Sequence, residues 1–228
     1  LPEGAKEAAR MLAEEQGSEG WVFTLDFPSY VPFMTYIENR ELRERMAKEF
    51  GKRGFQNNEN NNRQVVLEIV KLRRERAQLL GYNSHADFVL EERMAEKPKK
   101  VLNFLNEMLS KAKPAAEKEF KQLEELAKSD GITTLQKWDS SYYGEKLKKQ
   151  LFNLEEEALK PYFKLENVVQ GVFEIANKLY DLEFEEVQNI DKYHADVRTY
   201  LVTSVNKELV AIFYTDFFPR KGKRNGAW

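Results

Sequence analysis

Apolar residues recur at intervals of three and four along most of this chain, and that spacing constrains the fold more than any other feature. Side chains three and four apart share one face of an α-helix, so the pattern predicts a succession of amphipathic helices. The longest stripe comprises Val101, Leu105, Met108, Ala112, Ala116, Phe120 and Leu123. Pro114 lies inside it, and we expect a kink or break near Lys113, because proline donates no backbone hydrogen bond.

A second helical stripe, between about Asn62 and Leu80, contains a charged residue. Its members are Val66, Val70, Arg73, Ala77 and Leu80. Because Arg73 shares a face with apolar residues, we expect its guanidinium to be at least partly buried. A structural ion pair with a carboxylate of a neighbouring helix is the favoured interpretation, and ligand binding is the alternative.

Further local signals mark helix boundaries. Residues 56–62 include five asparagines, which bond their own backbone and favour an exposed loop. Ser84, with Asp87 three residues later, resembles a capping box at the start of a helix. Asp139 is expected to be the N-cap residue of another helix, which contains Tyr142 and Tyr143.

After Asp181 the pattern changes to β-branched and aromatic residues, in the segments FEEV, VRTYLVTS and ELVAIFYTDFF. The last two are separated by VNKE, which reads as a turn, so they predict an antiparallel hairpin. The fold class predicted is mainly α, a multi-helix body with a small C-terminal antiparallel β-hairpin. Three parts are expected: a peripheral N-terminal helix in residues 1–20, the helical body in 21–181, and the hairpin with a connecting loop in 182–228.

Charge and composition exclude several classes of protein. Lys and Arg total 36 against 38 Asp and Glu, a net charge of −2, so we expect no nucleic-acid partner. No apolar run reaches the roughly 18 residues of a membrane span, so no membrane association is expected. The absence of cysteine excludes disulfides and Cys-ligated zinc. It is compatible with the cytoplasm, which we expect as the compartment, with the periplasm as the alternative.

Residues that could carry catalysis are few. His85 has no second histidine three or four residues away, as a helical metal pair would need. His194, with Asp191 and Asp196 nearby, could form a weak metal site, but a solvated loop is the favoured interpretation. Adjacent glutamates point about 100° apart on a helix and read as solvated faces. We therefore predict neither a catalytic nor a metal-ligating residue in this chain.

The end of the last predicted strand combines one acid with several bases. Asp216 and Arg220 are candidates for a structural ion pair. The cations that approach this end of the hairpin are Lys207, Arg220, Lys221, Lys223 and Arg224. They could form a basic edge that meets a peptide carboxylate or an acidic segment, and a solvated turn is the favoured alternative.

Several strings, in their order and spacing, resemble the central part of the thimet-oligopeptidase family of zinc metallopeptidases. They are LDFPSYVPFMTYIENRELRE, LRRERAQLLGYNSHADFVLEERMA, the stretch from KWDSSYYGEKL to KLYDLEF, YHADVRTYLV and FYTDFFPRKGKRNGAW. The bacterial oligopeptidases and peptidyl-dipeptidases are the most similar branch. The resemblance extends over nearly the whole chain from about Trp21 onward.

The resemblance implies the middle portion of a bilobed, mostly helical zincin-type oligopeptidase, which cleaves short peptides in a channel between its lobes. Family members bind zinc through an HExxH helix, which lies C-terminal to the segment matching GKRNGAW. This sequence contains no HExxH, so no residue inherits a zinc-binding or water-activating role. We expect zinc in the full-length enzyme and none bound by this segment. The resemblance marks Asn225, Gly226 and Trp228 as substrate-channel candidates.

The partners expected are short peptides for the full-length enzyme, and further N- and C-terminal segments of the same protein. The lack of an initiator methionine and the ending at Trp228 favour a truncated product, either a gene fragment or an isolated domain; a pseudo-enzyme is a further alternative. Alone, the chain is predicted to be inactive and could dimerise through exposed apolar surface. The alternative function is a non-catalytic helical binding or scaffold module.

Overall fold

The computed structural model of the protein describes residues 1–154, 156–218, 220, 222 and 223. These residues are mainly helical and end in a small antiparallel sheet, which confirms the predicted fold class. Contacts group the chain into two units: Leu1–Leu25 with Ser29–Phe152, and Asp26–Pro28 with Asn153–Trp228. The expected division into residues 1–20, 21–181 and 182–228 stays a prediction. The helix that precedes the sheet packs against the first strand of the sheet.

Helices account for most of the first unit. Their bounds are α1 (Glu3–Glu15), α2 (Phe27–Tyr36), α3 (Arg40–Gly51), α4 (Arg63–Leu79), α5 (His85–Leu90), α6 (Pro98–Ser129) and α7 (Ser140–Phe152). The longest of these, α6, packs against α7 and α5, and α4 packs against α5. No helix in the described part of the chain is long and apolar enough to cross a membrane.

The second unit combines short helices with the sheet. It contains α8 (Glu156–Leu159), a 3₁₀ turn (Lys160–Tyr162), α9 (Leu165–Tyr180), β1 (Leu182–Val187), β2 (Arg198–Ser204) and β3 (Leu209–Thr215). The strands are antiparallel in the order β1-β2-β3, so the predicted hairpin gains a third strand from the FEEV segment. Asp181 ends α9 in the left-handed region, with φ 55°, and the chain passes directly into β1.

An aromatic cluster holds α9 against the sheet. The ring of Phe173 stacks on that of Phe184 in β1, with their centroids 4.2 Å apart. It also meets the edge of Tyr200 in β2 at 4.9 Å. Aromatic pairs in these geometries add to the stabilisation from buried apolar area. The central strand is the most buried of the three, since Thr199, Tyr200 and Val202 are all buried.

Several helix starts follow the sequence signals closely. The side chain of Asn39 accepts a hydrogen bond from the Leu42 N–H at the start of α3 (3.0 Å). Ser84 accepts one from the Asp87 N–H at the start of α5 (3.1 Å), and its hydroxyl donates to the Asp87 carboxylate. These contacts satisfy backbone donors that have no partner within the helix. The predicted capping at Ser84 is thereby confirmed.

Of the two outcomes expected at Pro114, a kink or a break, the break is wrong, because α6 continues through the proline without interruption. One proline removes a single backbone hydrogen bond, and the turns on both sides contain good helix formers. The pairs Lys111–Glu107 and Lys113–Glu117 also join successive turns around the proline.

The apolar stripes of α4, α6 and α9 are largely exposed. Val70 of α4 is 61% exposed and Ile175 of α9 is 58% exposed. The predicted burial of Arg73 is therefore wrong: its side chain is exposed on the same uncovered face of α4. Sharing a face with apolar residues leads to burial only where another element packs on that face, and within the described residues only Ala77 of this stripe is buried.

A buried carboxylate joins α3 to the connection between α6 and α7. The side chain of Asp139 is fully buried and accepts hydrogen bonds from Arg40 (2.8 Å) and Arg43 (3.0 Å). The Gln136 N–H donates to the same carboxylate at 2.9 Å. Asp139 directly precedes α7, as expected of an N-cap residue, but its side chain binds these donors.

Arg43 is almost as buried as its partner, with 2% of its side chain exposed. Its remaining N–H groups donate to the carbonyls of Ile37 (2.7 Å), Glu38 (2.9 Å) and Trp138 (3.1 Å). The guanidinium also lies 4.2 Å from the ring centre of Tyr142. A buried charge is tolerated when its hydrogen-bonding groups are largely satisfied, and here four of the five N–H groups of Arg43 have an acceptor.

The pKa of Asp139 reflects a balance of opposing effects. Burial alone would raise this pKa, but hydrogen bonds from Arg40, the Gln136 N–H and Arg43 outweigh burial and hold it below its ordinary value. The carboxylate therefore stabilises the fold at neutral pH. This contribution is lost only as the pH falls below the ordinary range of an aspartate, through the lowered folded-state pKa.

We predict that Asp139→Asn lowers the free energy of unfolding by about 3–5 kcal/mol, because it leaves Arg43 buried without an anionic partner. Urea unfolding followed by circular dichroism measures this change. Glu107→Gln is a matched control, since it neutralises an exposed ion pair on α6 and should cost less than about 1 kcal/mol. Equal effects of the two substitutions would contradict the prediction.

Pro114→Ala should raise the free energy of unfolding by about 1–3 kcal/mol, since it restores a backbone donor within an intact helix. Thermal unfolding measures the change. The neighbouring Lys113→Ala tests whether any alanine at this exposed site has the same effect, and it should leave stability within about 0.5 kcal/mol. A Pro114→Ala protein of unchanged or lower stability would show that the helix requires proline here.

Candidate functional site

The candidate site lies where the chain leaves the sheet. Asp216 is the first residue after β3, and a turn follows in which the Lys223 N–H donates to the Arg220 carbonyl (3.1 Å). Gly222 has φ 82°, a left-handed conformation that glycine adopts without a steric penalty. This turn directs the side chains of Arg220 and Lys223 back toward Asp216.

Arg220 binds Asp216 through a two-point ion pair. Its Nη1 donates to Oδ1 and its Nη2 to Oδ2, both at 2.8 Å. Only 14% of the Asp216 side chain and 22% of the Arg220 side chain are exposed. Paired parallel hydrogen bonds of this kind are stronger and more directional than single contacts between exposed charges.

Two more side chains complete the cluster. The Lys223 ammonium donates to the main-chain carbonyls of Asp216 (2.6 Å) and Phe218 (2.9 Å), and lies 3.1 Å from Oδ1 of Asp216. The Tyr193 hydroxyl, from the connection between β1 and β2, donates to Oδ2 of Asp216 at 3.1 Å. Asp216, Arg220, Lys223 and Tyr193 are called the Asp216 cluster below.

The Asp216 cluster shifts the pKa values of its members in opposite directions. The hydrogen bonds from Arg220 lower the pKa of Asp216 far below its ordinary value, and Lys223 and Tyr193 lower it further. Burial and the bond to Asp216 raise the pKa of Tyr193. At neutral pH the cluster therefore holds one carboxylate, two cations and a neutral phenol, an arrangement suited to fixing geometry.

Neither histidine takes part in a metal site within the described residues. His85 lies in the first turn of α5, in the first unit, whereas His194 lies in the second. Nδ1 of His194 accepts the Asp196 N–H (3.2 Å) and lies 3.6 Å from the Asp196 carboxylate. In the described parts of the chain, no three His, Cys, Asp or Glu side chains are grouped to hold a metal ion.

The residues singled out from the sequence lie in different settings. Asp216 and Arg220 are in direct contact, whereas Arg73 is exposed on α4. Asn225, Gly226 and Trp228 lie outside the described residues. The sequence analysis missed Tyr193, because nothing local links it to a partner 23 residues away.

The buried ion pair of the first unit was also missed. Its sequence signal is the spacing of Arg40 and Arg43, which places both on one face of α3. That spacing could have indicated a shared anionic partner, but not its identity, because Asp139 is 96 residues beyond Arg43.

The chain belongs to peptidase family M3, whose sequence profile matches residues 33–228. The resemblance seen in the sequence is thereby confirmed. The chain is 41% identical to oligopeptidase A of Escherichia coli (strain K12) over 100% of its length. It is 34% identical to dipeptidyl carboxypeptidase of the same strain over 98% of its length, and 33% identical to the chloroplastic/mitochondrial organellar oligopeptidase A of Arabidopsis thaliana over 91%.

The chain spans about a third of the length of these relatives. The aligned region covers 34% of oligopeptidase A, 33% of dipeptidyl carboxypeptidase and 27% of the organellar protein. The similarity therefore assigns the family to this region and leaves two thirds of each relative without a counterpart here.

Arg220→Ala should raise the pKa of Asp216 toward its ordinary value, because it removes the strongest of the contacts that favour the charged form. The stabilisation from Asp216 is present above the ordinary carboxyl pKa and is lost as the pH falls, so the variant should lose it at a higher pH. NMR titration of ¹³C-labelled aspartate carboxyl groups measures the shift. Lys207→Ala, beyond the other end of β3, is the control and should leave the pKa of Asp216 unchanged.

Proposed function

We propose that this chain is part of a peptidase that hydrolyses short peptides, and that it supplies scaffold and substrate-channel residues without cleaving the peptide bond itself. The observation that carries the proposal is the 41% identity to an oligopeptidase over 100% of the chain. The similarity to a dipeptidyl carboxypeptidase supports the same substrate class. Fold alone does not define function, so the proposal depends on this similarity within a family of peptidases.

Zinc is the cofactor that we propose for the complete enzyme, but the residues of this chain do not fit a zinc site. A zinc ion in a peptidase needs three protein ligands, commonly two histidines and a glutamate. The sequence has two histidines and no HExxH motif. We therefore assign this chain no step of bond cleavage and predict that it is inactive alone.

The chain's own contribution would be positional. Asn225, Gly226 and Trp228 remain our candidates for the channel wall. They follow the Asp216 cluster directly in the sequence. The two cations of the cluster could also attract a peptide carboxylate to this edge, but both are engaged with Asp216, which favours a structural role.

The exposed faces of α4, α6 and α9 support docking against further parts of the same protein. Contiguous apolar surface on a monomer marks an interaction site, since exposing it to water is unfavourable. The relatives are about three times as long as this chain. Further segments of a protein of that length would be available to cover these surfaces. A self-sufficient helical binding or scaffold module would bury these stripes, so the exposure disfavours that alternative. We propose the cytoplasm as the compartment.

The protein produced from the complete gene should hydrolyse a quenched fluorescent peptide of about ten residues, and a chelator should abolish turnover. Added zinc should restore it. Residues 1–228 alone should show no turnover under the same conditions. Zinc-dependent cleavage by residues 1–228 would contradict the proposed inactivity, and inactivity of the complete protein with zinc would contradict the proposed function.

Light scattering with an apolar dye tests the docking proposal. Residues 1–228 alone should bind the dye strongly or self-associate, because three apolar faces are exposed. Val70→Lys and Ile175→Lys should weaken both effects. A monodisperse chain with no dye binding would favour the scaffold module.

A further inference from the structure

We infer that the free edge of β3 is a pairing surface, and that a further strand of the same protein binds there through backbone hydrogen bonds. The sheet of the complete protein would then continue beyond the order β1-β2-β3. This inference goes beyond the proposed peptidase function and does not depend on catalytic activity. It differs from the docking of the helices, because main-chain donors and acceptors, and not apolar side chains alone, would make the contact.

The first argument is that β3 has a partner on one side only. It pairs with β2, and on its other side no backbone hydrogen bond is made within the described residues. Because the N–H and C=O groups of successive residues in a strand point to opposite sides, about half of those in β3 are available to another strand. A register shift beside Val210 affects only the start of β3, and Ala211–Thr215 stay in regular register with β2.

The second argument is the difference between the two edges of the sheet. At one edge, β1 carries Glu183, Glu185 and Glu186. Charged side chains on an edge strand discourage pairing with another strand. At the other edge, β3 has the sequence LVAIFYT, which contains no charged residue and no proline. The sequence therefore protects the edge at β1 and leaves the edge at β3 open to pairing.

The third argument is that β3 is apolar on both faces. Successive side chains of a strand lie on opposite faces of the sheet, so Ile212 and Phe213 lie on different faces. Ile212 is 46% exposed and Phe213 is 45% exposed. A continuous apolar run is typical of a strand that is covered on both faces. A long apolar edge strand left in water would promote aggregation, so protein is the more favourable neighbour for β3.

The aromatic cluster between α9 and the sheet is incomplete at β3. The ring of Phe213 lies 6.4 Å from the rings of both Phe173 and Tyr200, measured between centres. Phe213 belongs to this cluster, yet nearly half of it remains exposed. Side chains of a neighbouring strand lie about 5 Å from those directly opposite. A strand added beside β3 would therefore cover Phe213 and complete the cluster.

The observations favour a segment of the same protein as the occupant. The aligned region covers only 34% of oligopeptidase A, so a protein of that length has further chain to supply a strand. A tethered segment is present at a high effective concentration, which favours it over a second copy of the protein. A peptide substrate is a less suitable occupant, because both faces of β3 would be exposed whenever no peptide was bound.

Hydrogen exchange in the protein produced from the complete gene tests this inference. Mass spectrometry with electron-transfer fragmentation resolves the individual amides. Every amide of Ala211–Thr215 should exchange at least about 100-fold more slowly than an unpaired amide, because both sides of β3 would be hydrogen-bonded. Exchange of every second amide at the rate of an unpaired amide would show that the edge is free, and would overturn the inference.

A charge introduced into β3 gives a matched comparison. Glu185, Leu201 and Ile212 are register partners in one row across the sheet. In the complete protein, Ile212→Lys should accelerate exchange of the β3 amides by at least about tenfold, because the added strand would bury the new charge. Glu185→Lys, in the same row at the other edge, should change their exchange by less than about twofold. Equally small effects of the two substitutions would count against the inference.

The same measurements distinguish the other occupants. Protection of β3 that is lost on dilution, as light scattering shows a dimer becoming a monomer, would identify a second copy at this edge. Protection that appears only after the quenched fluorescent peptide is added would identify a substrate there. Either result would overturn the inference. Protection in a monomeric protein without peptide would support it, whether or not the protein proves to be a peptidase.

Discussion

The fold of the first unit depends on the burial of one carboxylate between two arginines. Asp139 is fully buried, and removing a carboxylate from water is costly unless every acceptor site is satisfied. Arg40, Arg43 and the Gln136 N–H donate hydrogen bonds to this carboxylate. Other N–H groups of Arg43 donate to main-chain carbonyls. The pair therefore specifies how α3 meets the connection between α6 and α7, because a different arrangement would leave a charge buried alone.

Apolar burial plays a smaller part in the helices than their patterns suggest. In α4 the stripe is regular, yet of its members only Ala77 is buried within the described residues, and α9 presents Ile175 to solvent while Phe173 packs on the sheet. Amphipathic periodicity states which side of a helix is apolar, and packing decides whether that side is covered. Uncovered apolar stripes on several helices support the proposal that further protein covers these surfaces. The relatives, which are about three times as long as this chain, support the same proposal.

The parts of the structure that sequence predicts well are those governed by neighbouring residues. The helix start at Ser84 depends on a contact three residues away, and the strands after Asp181 follow a local pattern of β-branched and aromatic residues; both were predicted correctly. The burial of Arg73 and the break at Pro114 were not predicted correctly, because neither depends on neighbouring residues alone. The burial of Arg73 depends on whether another element packs on α4, and the effect of Pro114 depends on how strongly the adjacent turns hold the helix. The ion pairs of Asp139 could not be predicted from local sequence, since its two arginines are more than 95 residues away.

The two carboxylate clusters use the same chemistry over different distances. Both surround one aspartate with two cations, but the cations of Asp139 come from a distant helix, whereas those of Asp216 follow within seven residues. A distant pair joins elements and so contributes to global stability. A local pair shapes its own turn, and the Tyr193 hydroxyl ties that turn to the connection between β1 and β2. The Asp216 network joins fewer elements than the Asp139 pair does, so its stabilising effect is confined to the end of the sheet.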